Sequence, residues 1–143
     1  MTDAQGLLAK AGWFPGRRVE VDSMLSELEL AGHVLVSPVG DFFSEFSGLV
    51  IFAEDDRKSV SIDGHDAARR TDRGWCVAYA DGIGSPVTPV GEYSNMVLMM
   101  DESGAFWGGY DDLYGFMGSD IVDLIGELLL GSGMRQLDRE VGN

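Results

Sequence analysis

The sequence predicts an α+β fold: an antiparallel sheet with helices packed on one side, N-terminal helices and a closing C-terminal helix. Three observations predict it. Helix-period apolar spacing runs up to Gly48, turn-linked strand-like runs fill the middle, and a regular apolar stripe returns near the end. Helices first, strands next and a helix last is not the alternating order that builds a parallel sheet.

The elements follow in chain order. Residues 4–11 read as a helix with Leu7, Leu8 and Ala11 on one face, stopped by Gly12. Trp13-Phe14-Pro15-Gly16 is a turn carrying two large apolar groups that need cover. Asp22 or Ser23 caps a second helix with Met24, Leu25 and Leu28, ending at Gly32. Ser37 followed by Pro38 opens a third, whose Val39, Phe42, Phe43 and Phe46 follow i, i+3, i+4, i+7 spacing. The period then changes. Residues 49–53 and 58–62 read as strands around a polar turn at residues 54–57, and residues 63–70 as a short helix or a loop. Further strand-like runs lie at 75–80, 87–90, 96–100 and 105–108, the last two joined by the turn Asp101-Glu102-Ser103-Gly104. A Gly-rich loop follows. Ser119 is the expected cap of the final helix, where Ile121, Leu124, Ile125, Leu128 and Leu129 form the stripe and Gly131 stops it. These boundaries predict one domain over residues 1–131 and a flexible tail over 132–143.

Composition narrows the function. With 45% hydrophobic residues the 143-residue chain can build a core, and its formal charge of −14 repels nucleic-acid phosphate and anionic membrane while attracting basic partners. The charge is uneven: residues 74–134 hold nine acids and no Lys or Arg, which predicts a negative face on that part of the fold. A single cysteine, Cys76, leaves no intramolecular disulfide, and the opening residues lack the basic and apolar segments of a signal peptide. The longest apolar stretch near the end is broken by Asp123 and Glu127. The expectation is a soluble cytoplasmic protein.

Signs of catalysis are weak. His33 and His65 lie in no nucleophile motif, and Cys76 reads as a buried structural thiol between Trp75 and Val77. His65 stands among acids in Asp63-Gly64-His65-Asp66 with no second His or Cys at ligand spacing, so no metal is expected. The acid pairs at 55–56, 101–102 and 111–112 are neighbours whose side chains diverge in extended chain. Asp81-Gly82-Ile83-Gly84 lacks the lysine of a phosphate loop. No catalytic residue and no cofactor is assigned. The most unusual segment is residues 106–114, where Phe106, Trp107, Tyr110 and Tyr114 are mixed with glycines and Asp111-Asp112; aromatics with acids suit a protein-binding surface as well as a sheet core.

Five landmarks carry a family resemblance. Leu7-Leu8-Ala9-Lys10-Ala11-Gly12-Trp13 followed by Gly16-Arg17 resembles the opening signature of the third group of SUKH-superfamily immunity proteins. Phe42-Phe43-Ser44-Glu45-Phe46-Ser47-Gly48-Leu49, Pro89-Val90-Gly91-Glu92, Asp101-Glu102-Ser103-Gly104 and Leu129-Leu130-Gly131 are similar to its later landmarks, in the same order. The resemblance spans about residues 4–131. It implies an antitoxin that binds and neutralises a cognate bacterial toxin, and the acidic balance points to a basic toxin such as a nuclease or nucleic-acid-modifying domain. The landmarks read as fold positions, with Arg17 or Arg18 available to pair with an acid or to cap carbonyls. The expected partner contacts are Asp81, Glu92, Asp101, Glu102, Tyr110, Asp111, Asp112 and Tyr114, in predicted loops or strand ends. The alternative is a regulatory or scaffold domain of the same fold. Neither reading fixes the oligomeric state.

Overall fold

The structure, a computed structural model, describes residues 3–131 and 135–142. It begins with α1 (Ala4–Lys10), α2 (Asp22–Leu30) and α3 (Val39–Phe46), followed by β1 (Leu49–Phe52) and β2 (Ser59–Ile62). Two helices come next, α4 (Gly64–Arg70) and α5 (Arg73–Ile83). Four strands follow: β3 (Val87–Tyr93), β4 (Met96–Asp101), β5 (Phe106–Tyr110) and β6 (Leu113–Gly118). Then come α6 (Ile121–Ile125), a π-helical turn (Gly126–Leu130) and β7 (Arg139–Glu140). The strands form one sheet in chain order, each antiparallel to the next, as an α+β fold requires.

Strand residues alternate between two faces. The inner face presents Ile62, Leu98, Met100 and Phe106 to a core built with Leu7 and Leu8 of α1, Leu28 of α2, the stripe of α3 and Leu124 and Ile125 of α6. All four apolar residues of the α3 stripe are buried. Phe43 has no exposed surface, and full burial of such a ring stabilises by about 1.5–3 kcal/mol.

The outer face carries a second, smaller core, and here the expected arrangement needs correction. Residues 75–80 are not a strand but the middle of α5. Trp, Val and Tyr in that run favour a strand locally, yet its ends are those of a helix. Asp72 accepts a hydrogen bond from the Gly74 N–H, and Gly84, at φ +85°, closes the last turn by donating to the Ala80 carbonyl. Cys76 and Tyr79, one turn apart, pack onto Val87, Met99, Trp107 and Tyr114 of the sheet. One helix therefore lies on the face opposite the others.

The Gly-rich segment after Gly108 is likewise a strand and not a loop. β5 and β6 are joined by a tight turn at Asp111-Asp112 between the paired Tyr110 and Leu113. The glycines of β6 allow close approach: a Cβ at Gly115 would lie 2.3 Å from the Gln136 carbonyl oxygen, and one at Gly118 would lie 2.7 Å from the Leu124 nitrogen. Part of the expected tail, residues 132–134 and 143, lies outside the described residues. From residue 135 the chain crosses β6, with Arg139 opposite Tyr114 and Glu140 opposite Leu113.

Helix starts also differ in detail. Neither Asp22 nor Ser23 caps α2, and Ser37 does not cap α3; the N-cap positions are Val21 and Pro38, without side-chain bonds. Asp120, not Ser119, caps α6 by accepting from the Asp123 N–H, while Asp123 accepts from the N–H and hydroxyl of Ser119. This reciprocal pairing is a capping box shifted by one residue.

Candidate functional site

The pairing register places Val50, Ser61, Glu92, Val97, Gly109, Tyr114 and Arg139 in one row across the outer face. At the β5–β6 end α5 sits directly on this row. A Cβ at Gly109 would come 2.6 Å from the Tyr79 ring, so only glycine lets the helix approach so closely. Towards β1 the helix no longer covers the sheet. The space left between α4, the start of α5 and strands β2–β5 is a groove of about 430 Å³.

Its rim is chemically one-sided. Asp63, Asp66, Asp72, Glu92 and Asp111 stand around it with a single cation, Arg70. Asp63 and Asp72 are the N-caps of α4 and α5. Arg70 donates to Glu92 across the groove at 3.3 Å, both side chains largely exposed. One wall is aromatic: Trp75 stacks on Tyr79 with centroids 5.8 Å apart, and Tyr110 is exposed on the opposite strand. The Tyr79 hydroxyl donates to the Asp111 carbonyl oxygen at 2.6 Å, tying α5 to the β5–β6 turn. Burial, and then the acidic groups nearby, push this phenol up to about 12, so it keeps its proton and its role as donor.

The structure sorts the eight residues expected to meet a partner. Glu92, Tyr110, Asp111 and Asp112 converge at one end of the sheet, around the groove and the β5–β6 turn. Asp81 is exposed on α5 beside a second cavity of about 380 Å³. Glu102 is exposed in the β4–β5 turn, at the other end of the strands. Two expectations of outward exposure are corrected. Asp101 is buried: its carboxylate accepts from the N–H and hydroxyl of Ser103, from the Ala105 N–H and from the Trp107 indole. Tyr114 is buried between Tyr79 and Trp107, with ring centroids 5.8 and 6.4 Å away. Trp75, Tyr79, Arg70 and Asp66 are not among the expected contacts: the first two lie in a run that reads as a strand, the others in residues 63–70, which read as a short helix or a loop. The helix caps Asp63 and Asp72 were the sequence signal that could have placed them.

The cation-free stretch is partly neutralised from outside. Arg70 meets Glu92, and Arg135 meets Asp123 at 3.0 Å and Glu127 at 3.9 Å. Hydrogen bonds from Ser119 and Arg135 hold the Asp123 carboxyl below the usual range. Arg139 lies over the Trp107 ring at 5.3 Å. Among the described residues no Lys, Arg or His lies within ion-pair distance of Asp81, Glu102, Asp111 or Asp112.

The thiol and the two imidazoles are held in structural roles. Burial pushes the Cys76 thiol up to about 12, far from a reactive thiolate. His33 Nε2 donates to the Thr71 carbonyl at 3.0 Å, and burial pushes its imidazole below the ordinary value. His65 Nδ1 bonds to Glu27 at 2.8 Å, a carboxylate that also receives Arg69. No group of three or more His, Cys, Asp or Glu that could hold a metal occurs among the described residues. No helix among them is long and apolar enough to cross a membrane.

Compared with known families, residues 2–131 match the family described as SUKH-3 immunity protein. The chain belongs to that family. No curated protein and no solved structure matches it. Membership assigns an immunity function and implies a cognate toxin as partner.

The landmarks of the SUKH-3 resemblance prove to be joints of the fold. Trp13 stacks on Phe46 and donates its indole N–H to Glu45 at 2.8 Å. Arg17 donates to the carbonyls of Glu45 and Ser47 at 2.7 and 2.9 Å, capping the end of α3 as one of the two expected roles. Gly91 lies where a Cβ would come 2.0 Å from the Ser61 carbonyl oxygen, so the β2–β3 pairing depends on it. Asp101 closes the β4–β5 turn.

Proposed function

We propose that this SUKH-3 protein neutralises its toxin by binding it, without turning over a substrate, through the acidic end of the outer sheet face. We propose further that the toxin domain is basic, as nucleases and nucleic-acid-modifying enzymes are where they hold phosphate. The observation that carries this reading is the convergence of Glu92, Tyr110, Asp111 and Asp112 at one end of the sheet, with no Lys, Arg or His within ion-pair distance of Asp111 or Asp112 among the described residues. Exposed carboxylates beside an exposed tyrosine offer an approaching cation both long-range attraction and an anchor. Asp81 and Glu102 add to the field but lie off this patch.

The experiment is stopped-flow association with the cognate toxin domain, at rising salt. Electrostatic steering predicts a steep fall in the association rate across a range that shortens the Debye length from about 30 to 8 Å. Asp111→Asn with Asp112→Lys lowers that rate and leaves thermal stability almost unchanged; asparagine is chosen because Asp111 sits at φ +51°, which it tolerates. A salt-independent rate sinks the basic-toxin reading. Failure of co-expression to rescue growth from the toxin sinks neutralisation itself.

A further inference from the structure

We infer that the groove between α4, α5 and the outer sheet face receives an arginine side chain of the partner, and that Arg70 occupies that arginine's place in the free protein. The inference rests on the binding reading above and names what enters the site.

The geometry is that of a guanidinium site already filled from within. Arg70 reaches over the groove to a single carboxylate, Glu92, through one contact of 3.3 Å. Its side chain is 66% exposed, so it can swing into solvent without disturbing packing. Glu92 projects from the outer row between Ser61 and Val97, and the small Ser61 of that row leaves depth beside it. Asp66 and Asp111 on the rim have no cation of their own among the described residues. After Arg70 leaves, the rim holds five carboxylates and no positive charge.

The aromatic wall selects the kind of cation. Trp75, with Tyr110 opposite, offers exposed ring surface beside the carboxylates, and the buried Tyr79 backs Trp75 by stacking behind it. A guanidinium is planar and weakly hydrated, so it can lie on a ring while its N–H fork meets a carboxylate; a lysine ammonium is a compact, strongly hydrated charge. Tyr79 is locked by its bond to the Asp111 carbonyl and its packing on Tyr114, so the ring behind Trp75 is ordered before binding. Release of Arg70 from Glu92 is a cost of binding, which makes Arg70 a weak internal competitor.

The test uses the full chain and three short acetylated, amidated peptides, Gly-Arg-Gly, Gly-Lys-Gly and Gly-citrulline-Gly, titrated by NMR. The arginine peptide is expected to shift the Trp75 indole and the Gly109 and Tyr110 amides saturably. The lysine peptide shifts them less, and the uncharged citrulline peptide leaves them in place. Arg70→Ala is expected to tighten the arginine peptide by about two- to five-fold, the scale of an exposed ion pair, and Glu92→Gln to weaken it by at least as much. Both residues are exposed, and unchanged melting temperatures verify that the variants fold. Equal responses to arginine and citrulline, shifts away from the groove, or no gain from Arg70→Ala overturn the inference. The toxin domain then separates the two readings. If Glu92→Gln and Tyr110→Ala leave toxin binding intact, the groove is not the arginine's site although neutralisation stands. If the peptide binds as expected but co-expression fails to rescue growth, the arginine site stands and the toxin reading falls.

Discussion

Replacing Asp101 by alanine separates a structural carboxylate from a partner-contacting one. Four hydrogen bonds end on it: the Ser103 N–H at 2.9 Å, the Ser103 hydroxyl at 2.7 Å, the Ala105 N–H at 3.1 Å and the Trp107 indole at 2.9 Å. In the variant the groups of exposed Ser103 find water. Trp107 is only 9% exposed, with its indole bond buried, and the Ala105 N–H is part-buried, so neither is well compensated. A buried donor left unsatisfied costs about 1–3 kcal/mol, which with the partial loss at Ala105 makes about 3 kcal/mol. For a chain of this size, at about 3–4 °C per kcal/mol, the melting temperature falls by about 10 °C. Asp101→Asn is milder, about 1–2 kcal/mol, because its oxygen serves one side of the site while its NH2 group confronts a donor on the other. Acidity supplies a second readout. Burial pushes the Asp101 carboxyl up, but the bonds from Ser103, Trp107 and Ala105 outweigh it and hold the group below its ordinary value. The unfolded chain therefore takes up this proton first as pH falls. The advantage of wild type over Asp101→Asn is full at neutral pH and shrinks below about pH 4, where an unperturbed aspartate titrates. Urea unfolding followed by far-ultraviolet circular dichroism measures both. A midpoint for Asp101→Ala equal to wild type, or toxin binding impaired at unchanged stability, refutes the structural assignment.

Two further outcomes follow from close packing and burial. Gly91→Ala places a methyl against the Ser61 carbonyl oxygen, and forcing β2 from β3 lowers stability by about 3 kcal/mol, read as a drop in the urea midpoint. Cys76, buried on α5 with its thiol pushed up to about 12, stays unreactive towards a disulfide reagent at neutral pH and is labelled at once in denaturing urea; labelling of the native protein at the unfolded rate contradicts its placement.

What was legible in the sequence had a single local cause. The α3 stripe Val39, Phe42, Phe43 and Phe46 has one period and one buried face, and it reads the same in either direction. The turn at residues 101–104 has its acid and its glycine at fixed offsets and joins two antiparallel strands as expected. Residues 75–80 misled because period and propensity disagreed with the caps, which lie outside the run at Asp72 and Gly84. The β6 glycines misled because close approach and chain flexibility use the same residue; only the neighbouring backbone at Gln136 and Leu124 tells them apart. Asp101 and Tyr114 looked like surface for the same reason: their burial depends on Trp107 and Tyr79, brought in by tertiary structure. The negative charge of residues 74–134 was visible, but Arg70 and Arg135 enter that surface from other parts of the chain.

The residues that hold the fold together are distinct from those of the proposed binding surface. Trp13, Arg17 and the α3 stripe join the helices to one another, and the inner face completes that core. Gly91 and Asp101 hold the strands in register from within the sheet. The groove and the acidic turn lie on the outer face, where side chains project from short turns and from helix ends fixed by Asp63 and Asp72. Substitutions at Glu92, Tyr110 or Asp112 change charge and shape on that face without removing a core contact, since all three side chains are exposed. The proposed binding residues are therefore separate from the core residues, and binding energies at this face are expected to add independently of changes in the inner core. That independence is what a protein matched to one particular toxin requires: an exposed surface can be retuned towards another partner while the inner core continues to hold the sheet in place.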